Sequence, residues 1–165
     1  MSVKILPPRP LSAEHRYENF SSGEPPLDEW LRRRALPNQT TGASRTFVIT
    51  NEAAEILGYY ALASGAVSHQ ESPGAIRRNM PDPIPVMVLA RLAVDQRLQG
   101  KKIGGALLQD ALRRTLLVSE NIGVRALMVH ALNERACQFY IHYGFIQSLF
   151  HPMILMLPLH LKDRH

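Results

Sequence analysis

The chain has 165 residues, enough for one domain with a substantial core, and its 45% hydrophobic and 20% charged residues are the balance of a soluble globular protein. A net charge of +5 favours an anionic partner such as RNA, DNA or a phosphorylated cofactor, and the single cysteine, Cys137, excludes an internal disulfide framework and a Cys-based zinc site. No apolar run is long enough to span a bilayer and no signal peptide is evident, so a cytoplasmic protein without membrane contact is expected.

Val3 to Leu6 reads as a short first strand, stopped by the prolines that follow. Ser12 is a suitable N-cap for a brief helix through Tyr17. Pro25-Pro26 fits the first turn of a second helix, Leu27 to Leu36, ended by Pro37. Leu27, Trp30, Leu31 and Arg34 share one face of it at 3.6 spacing. Arg32-Arg33-Arg34 reads as a solvated helix face in preference to an RNA contact. Thr46 to Thr50 and Ile56 to Ser64 read as a hairpin around Asn51-Glu-Ala-Ala-Glu55, with Gly58 marking a bulge. A long, proline-bearing loop from Gln70 to Pro85 follows. It carries Arg77-Arg78, and loops of this length are more often functional than accidental.

Val86 to Val94 has few polar residues and reads as a strand buried on both faces. Arg91 interrupts it, and a charge there requires an ion-pair partner or an opening to solvent at the mouth of a cleft. A glycine-bearing turn, Gln99-Gly-Lys-Lys-Ile-Gly104, leads into a helix from about Gly100 to Ser119. Its apolar stripe is Ile103, Leu107, Leu108, Ala111, Leu112, Thr115 and Val118; Lys102, Gln109, Asp110 and Arg113 face away. A strand feeding such a helix N-terminus is a site for phosphate, because the first-turn N–H groups lack intrahelical partners and lie at the positive end of the helix dipole. Arg125 to Ala131 is a further strand, expected to run parallel to the first across the helix. Asn133 caps the next helix, whose Ala136, Phe139, Tyr140 and Tyr143 lie on one side. Gly144 ends it in a left-handed conformation. Phe145 starts a short strand, the last strand spans about Met153 to Leu157, and His160 to His165 is a frayed tail.

Three segments together resemble the GNAT acetyltransferase superfamily: Leu89-Ala-Arg-Leu-Ala-Val-Asp95, Gln99-Gly-Lys-Lys-Ile-Gly104, and Asn133-Glu-Arg-Ala-Cys-Gln-Phe-Tyr-Ile-His-Tyr-Gly-Phe145. The first two correspond to its acetyl-CoA motif, Q/R-x-x-G-x-G/A. Pro25-Pro-Leu-Asp-Glu-Trp-Leu, Arg45-Thr-Phe-Val, Gly58-Tyr-Tyr-Ala-Leu, Arg77-Arg-Asn-Met-Pro-Asp-Pro-Ile-Pro and Gly123-Val-Arg-Ala-Leu-Met-Val-His-Ala are similar to one branch, the GNAT toxins of bacterial type II toxin–antitoxin systems.

The resemblance implies a single α/β (α+β) GNAT domain over residues 1–165, with a mixed sheet of six to seven strands and about four helices. It implies acetyl transfer from acetyl-CoA to the α-amine of aminoacyl-tRNA, which stops translation, and no metal. It also implies a ribbon-helix-helix antitoxin, a homodimer, and operator DNA met only through the antitoxin complex, where transcription is repressed. The implied cofactor contacts are the backbone of Leu92, Ala93 and Val94, the N–H groups of Gln99, Gly100, Lys101, Lys102, Ile103, Gly104 and Gly105, and Asn133. Lys102 departs from the family, which usually has glycine there; lysine is expected to fit with the ordinary negative φ of a helix start. Tyr140 matches the family's general acid, and a phenol with a reference pKa of about 10 is protonated at neutral pH. Arg77, Arg78, Arg91, Lys101 and Arg113 are the candidate tRNA contacts. No general base is evident, and His69, His130 and His142 are unassigned. Asp95, Glu52 and Glu55 read as solvated. Competing readings are a GNAT enzyme acting on a protein N-terminus or small amine, and a non-catalytic acyl-CoA-binding partner of a DNA-binding repressor.

Overall fold

A computed structural model describes residues 4–159 of the protein. Seven strands form a sheet in the order β1-β2-β3-β4-β5-β7-β6. They are β1 (Arg9–Pro10), β2 (Arg45–Thr50), β3 (Ile56–Val67), β4 (Ile84–Val94), β5 (Ala126–His130), β6 (Ile146–Gln147) and β7 (Ile154–Pro158). The helices are α1 (Pro25–Trp30), which runs through a π-helical turn (Leu31–Ala35) into α2 (Leu36–Thr41), then the single turn α3 (Gly74–Arg77), α4 (Ile103–Ser119) and α5 (Glu134–His142). β4 and β5 are parallel, and the β2–β3, β5–β7 and β6–β7 pairs are antiparallel. This is the expected mixed α/β sheet. Contacts group the chain into two compact units: the described residues up to Ala63 with Ala90–Ala111, and Ser64–Leu89 with the described residues from Leu112 onward.

In the first unit, one face of the sheet packs Val48, Ile56, Tyr59 and Ala93 against Leu31, Ala35, Phe20 and Leu11. The Trp30 ring stacks on Tyr59 with centroids 5.9 Å apart. Arg34 does not join this face: it is exposed, and Ala35 is the buried neighbour of Leu31. The opposite face carries Gly58. A Cβ there would lie 3.0 Å from Ile49 Cδ1 and 3.1 Å from Leu107 Cδ1, so the missing side chain lets α4 pack close to the hairpin. Beside Gly58 the register shifts, from Ile49↔Gly58 to Thr50↔Ile56, which leaves Leu57 as the extra residue of a bulge. The second unit is built on Val67, Ile76, Ile84, Val86, Ala126 and Met156.

Departures from the sequence reading concentrate at prolines and short polar stretches. Lys4 to Leu6 is not a strand, although the Leu6 N–H donates to the Thr50 carbonyl at 2.8 Å; the first strand is Arg9–Pro10 on the sheet edge, where a proline without an N–H is tolerated. Val3 and His160 to His165 lie outside the described residues. Ser12 caps no helix: its own N–H donates to His15 Nδ1 at 3.0 Å, and the chain goes on to bridge Arg16 to Glu55. Pro37 does not end its helix. The π turn lies just upstream, where the missing Pro37 N–H leaves the Arg33 carbonyl without its helical partner, and the helix continues to Gly42 at φ 86°. Ile84-Pro85, read as loop, begins β4.

Candidate active site

β4 pairs with β5 only from Val86↔Ala126 to Leu89↔Val129, then continues alone on that side to Val94. Leu92, Ala93 and Val94 therefore lie on β4 beyond its last residue paired with β5. Ala93 buries its methyl in the core of the first unit, and the Val94 carbonyl accepts from Gln99 Nε2 at 3.1 Å.

The turn beyond is braced from two sides. Asp95 is buried, not solvated as its type suggested. It accepts from Arg97 Nε at 2.8 Å, Arg97 Nη2 at 3.1 Å, and the N–H groups of Arg97 and Ser21 at 3.0 and 3.2 Å. Burial opposes its charge, but the Arg97 hydrogen bonds and the Ser21 N–H outweigh burial and hold the carboxyl below its ordinary range. Gln99 is part of the brace. Its Nε2 donates to the Ser22 carbonyl at 2.7 Å, Ser22 Oγ donates to the buried Asp28 at 2.6 Å, and the Gln99 N–H is taken by Gln96.

The free donors therefore begin after Gln99. Among the described residues, the N–H groups of Gly100, Lys101, Lys102, Ile103, Gly104 and Gly105 make no well-aligned hydrogen bond; the first N–H so engaged beyond them is that of Ala106, to Lys102. Gly100 has φ 83° and Lys102 has φ 63°. Lys102 thus overturns the expected negative φ: it adopts the left-handed conformation for which the family's glycine is suited. Alternating hand in successive residues turns their N–H groups toward one concavity, an anion nest. Unpaired donors at the positive end of a long helix complement a diphosphate, so the residues present fit the phosphate end of acetyl-CoA without Lys102 flattening the turn.

Arg91 has no ion-pair partner among the described residues. Its guanidinium sits 5.2 Å from the centroid of the Trp30 ring, and Nη1 donates to the Ala90 carbonyl at 2.7 Å. The charge is tolerated in the strand by a cation–π contact and partial exposure rather than by the structural ion pair. Its remaining N–H donors bond to no described residue.

In the second unit, Tyr140 is 5% exposed, with its ring edge-on to Phe139 and Phe145. Its hydroxyl bonds to no described residue, and burial raises its pKa above the ordinary phenol value. Cys137 is the other buried residue of α5, and half-buried Phe139 and Tyr143 lie beside Tyr140 as expected. Asn133 is engaged as the N-cap, its Oδ1 accepting from the Ala136 N–H at 2.9 Å. Arg77 and Arg78 are exposed on α3 and the residue after it, and neither side chain pairs with a described residue. Arg113 is exposed on α4. His69 is held structurally, with Nε2 2.6 Å from the Met80 carbonyl. No group of three or more metal-ligating side chains occurs among the described residues.

The first unit thus gathers Arg91, Leu92 to Val94 and the nest from Gly100 to Gly105; the second holds Tyr140, Asn133, Arg77, Arg78 and Arg113. Sequence reasoning missed Asp95 and Trp30. The Asp95-x-Arg97 spacing was a usable signal for the first, whereas the seat of Arg91 on Trp30 joins residues far apart in the chain and has no local signature.

The sequence model for the "Acetyltransferase (GNAT) domain" matches residues 42–147. The chain is 49% identical over 150 residues to a "tRNA-acetylating toxin" of Mycobacterium tuberculosis (strain ATCC 25618 / H37Rv), covering 91% of this chain and 90% of that protein. Its fold superposes on AtaT complexed with acetyl-methionyl-tRNAfMet with a TM-score of 0.87, at 26% identity over 94% of this chain and 95% of the other. A Tyr→Phe mutant of AtaT bound to acetyl-CoA and the C-terminus of the antitoxin AtaR matches with a TM-score of 0.81, at 26% identity over 93% and 92%.

Proposed function

The chain belongs to the GNAT acetyltransferase family, and from that premise we propose that it is a toxin that acetylates the α-amine of aminoacyl-tRNA and so blocks translation. The observation that carries this reading is the 49% identity, over nine-tenths of both chains, to a tRNA-acetylating toxin.

Acetyl-CoA supplies the acetyl group as a thioester; a C–N bond forms to the amine, the C–S bond breaks, and the amine's surplus proton goes to solvent. The N–H groups of Gly100, Lys101, Lys102, Ile103, Gly104 and Gly105 bind the diphosphate. The backbone of Leu92, Ala93 and Val94 holds the pantetheine and the thioester, and a donor aimed at the developing oxyanion is worth about 3–4 kcal/mol in known cases. Asn133 orients the start of α5. Tyr140 gives its hydroxyl proton to the departing sulfur and regains one from solvent. Burial raises its pKa and so keeps the phenol protonated for this role.

No base is assigned. A free α-amine has a pKa of about 8 and an ester-linked one lies lower, so a useful fraction is neutral at pH 7. A lysine amine, at about 10.4, is far less available. Arg77, Arg78, Arg91 and Arg113 contact the acceptor, their guanidinium groups suited to phosphate.

The reading extends to a ribbon-helix-helix antitoxin, a homodimeric toxin in the cytoplasm, and operator DNA bound and repressed only through the antitoxin complex. Support for a protein partner comes from Ile146 on the edge strand β6 and from Leu149 and Phe150, the last two 69% and 65% exposed. No described helix is long and apolar enough to cross a membrane.

The test is competition. Charged tRNA, a peptide with a free N-terminus and a small amine are offered together with labelled acetyl-CoA. Label on charged tRNA, lost on deacylation, is expected; label on the peptide or small amine alone removes the reading.

A further inference from the structure

We propose that Arg125 is a positioning residue whose guanidinium fixes the Arg77–Arg78 turn for the phosphates of the acceptor tRNA; this rests on the reading above that Arg77 and Arg78 contact tRNA.

A helix of one turn has no stability of its own in water, and its last carbonyls lack helical partners. α3 is such a turn, Gly74–Arg77. Arg125 closes it. Nε donates to the Ile76 carbonyl at 3.0 Å, and Nη2 donates to the carbonyls of Ala75 at 3.1 Å and Arg78 at 3.5 Å. Arg125 is itself pinned on both sides of its backbone, its N–H donating to Pro85 at 2.9 Å and its carbonyl accepting from Leu159 at 3.0 Å. Ile76 anchors the same turn, fully buried among Val67, Ile84 and Met156. Asn79, at φ 60°, then reverses the chain, and the Met80 N–H returns to the Arg77 carbonyl at 3.1 Å.

Two consequences follow for charge. The backbone around Arg77 and Arg78 is fixed while both side chains are exposed. Two guanidinium groups, those of Arg77 and Arg78, stand on this short segment and that of Arg125 clamps it, and none of the three forms an ion pair with a described carboxylate. Arg125 is engaged with the backbone of the turn, whereas the exposed, uncompensated charges of Arg77 and Arg78 repel one another, an arrangement that suits a polyanion. Holding carbonyls in a plane needs the fork of a guanidinium; an ammonium of equal charge reproduces only one point of it.

The experiment compares Arg125→Gln, Arg125→Lys and the double variant Arg77→Ala/Arg78→Ala in the full-length enzyme, with charged tRNA and acetyl-CoA varied separately. Both Arg125 variants are expected to raise KM for charged tRNA about tenfold, in line with losing one or two phosphate contacts. kcat and KM for acetyl-CoA stay within about twofold, a split that general destabilisation does not produce. Adding Arg125→Gln to the double variant raises KM less than about twofold further, because the two act through one element. Wild-type KM in Arg125→Lys, or full additivity with the double variant, overturns the positioning role. The double variant tells the two ideas apart: if it leaves KM for tRNA unchanged, the dibasic contact itself is wrong and Arg125 loses its role with it. Should Arg125→Gln unfold, Arg125→Lys keeps the stem and the charge and carries the comparison.

Discussion

Tyr140, Lys102 and Asp95 each answer a question of chemistry that residue type alone leaves open. Tyr140 has a buried ring and a hydroxyl without a partner among the described residues, so Tyr140→Phe removes the proposed proton donor with little change in packing. We expect the transfer rate to fall about 100-fold or more, with acetyl-CoA affinity within about twofold by calorimetry. Because burial raises the Tyr140 pKa, the wild-type rate climbs with pH as the acceptor amine loses its proton and then stays level to at least about pH 9.5; a falling limb near pH 8 in a pH–rate profile contradicts the assignment. Lys102 occupies the left-handed region, which costs a side-chain-bearing residue about 1–2 kcal/mol. Glycine relieves that strain and loses some of the gain to chain entropy, so Lys102→Gly should stabilise the protein by about 0.5 kcal/mol and raise Tm by about 1–2 °C. A lower Tm refutes the strain. Asp95 is ionised more readily folded than unfolded, so its contribution is complete above about pH 3.9, the carboxylate's unfolded value, and is lost as pH falls through the lower folded value.

The elements show how far a sequence carries and where it stops. β2, β3, β5 and β7 were legible because period-2 and continuous apolar runs are local properties, and α4 and α5 because their stripes and the Asn133 and Gly144 ends are local too. The passage through Pro37 was not, since a π turn is an adjustment by the whole helix to a missing donor. The burial of Asp95 was not, since its partners include Ser21, far away in the chain. The nest was half legible: its glycines and helix start are in the motif, but the left-handed Lys102 that shapes it is not. Packing between α4 and the hairpin is equally non-local and depends on Gly58, where any Cβ comes closer to Ile49 and Leu107 than ordinary van der Waals contact. Gly58→Val is therefore expected to cost about 1–3 kcal/mol in urea unfolding; unchanged stability denies the close approach.

On the scale of the molecule, a net charge of +5 and an arginine-bearing α3 segment imply association with a polyanion through phosphate contacts. KM for charged tRNA should rise steeply with salt, log KM against log salt having a slope of about one per phosphate contact, while KM for acetyl-CoA changes far less. Equal salt dependence of the two substrates contradicts a tRNA acceptor held by these arginines. The most direct test of the central claim is mass spectrometry of the 3′-terminal aminoacyl-adenosine released by nuclease from charged tRNA after incubation with enzyme and acetyl-CoA. The expected product is an aminoacyl-adenosine heavier by one acetyl group, carried on the amino-acid nitrogen and absent with Tyr140→Phe at matched times. An unmodified aminoacyl-adenosine, from an enzyme that acetylates a peptide or small amine in the same tube, contradicts it.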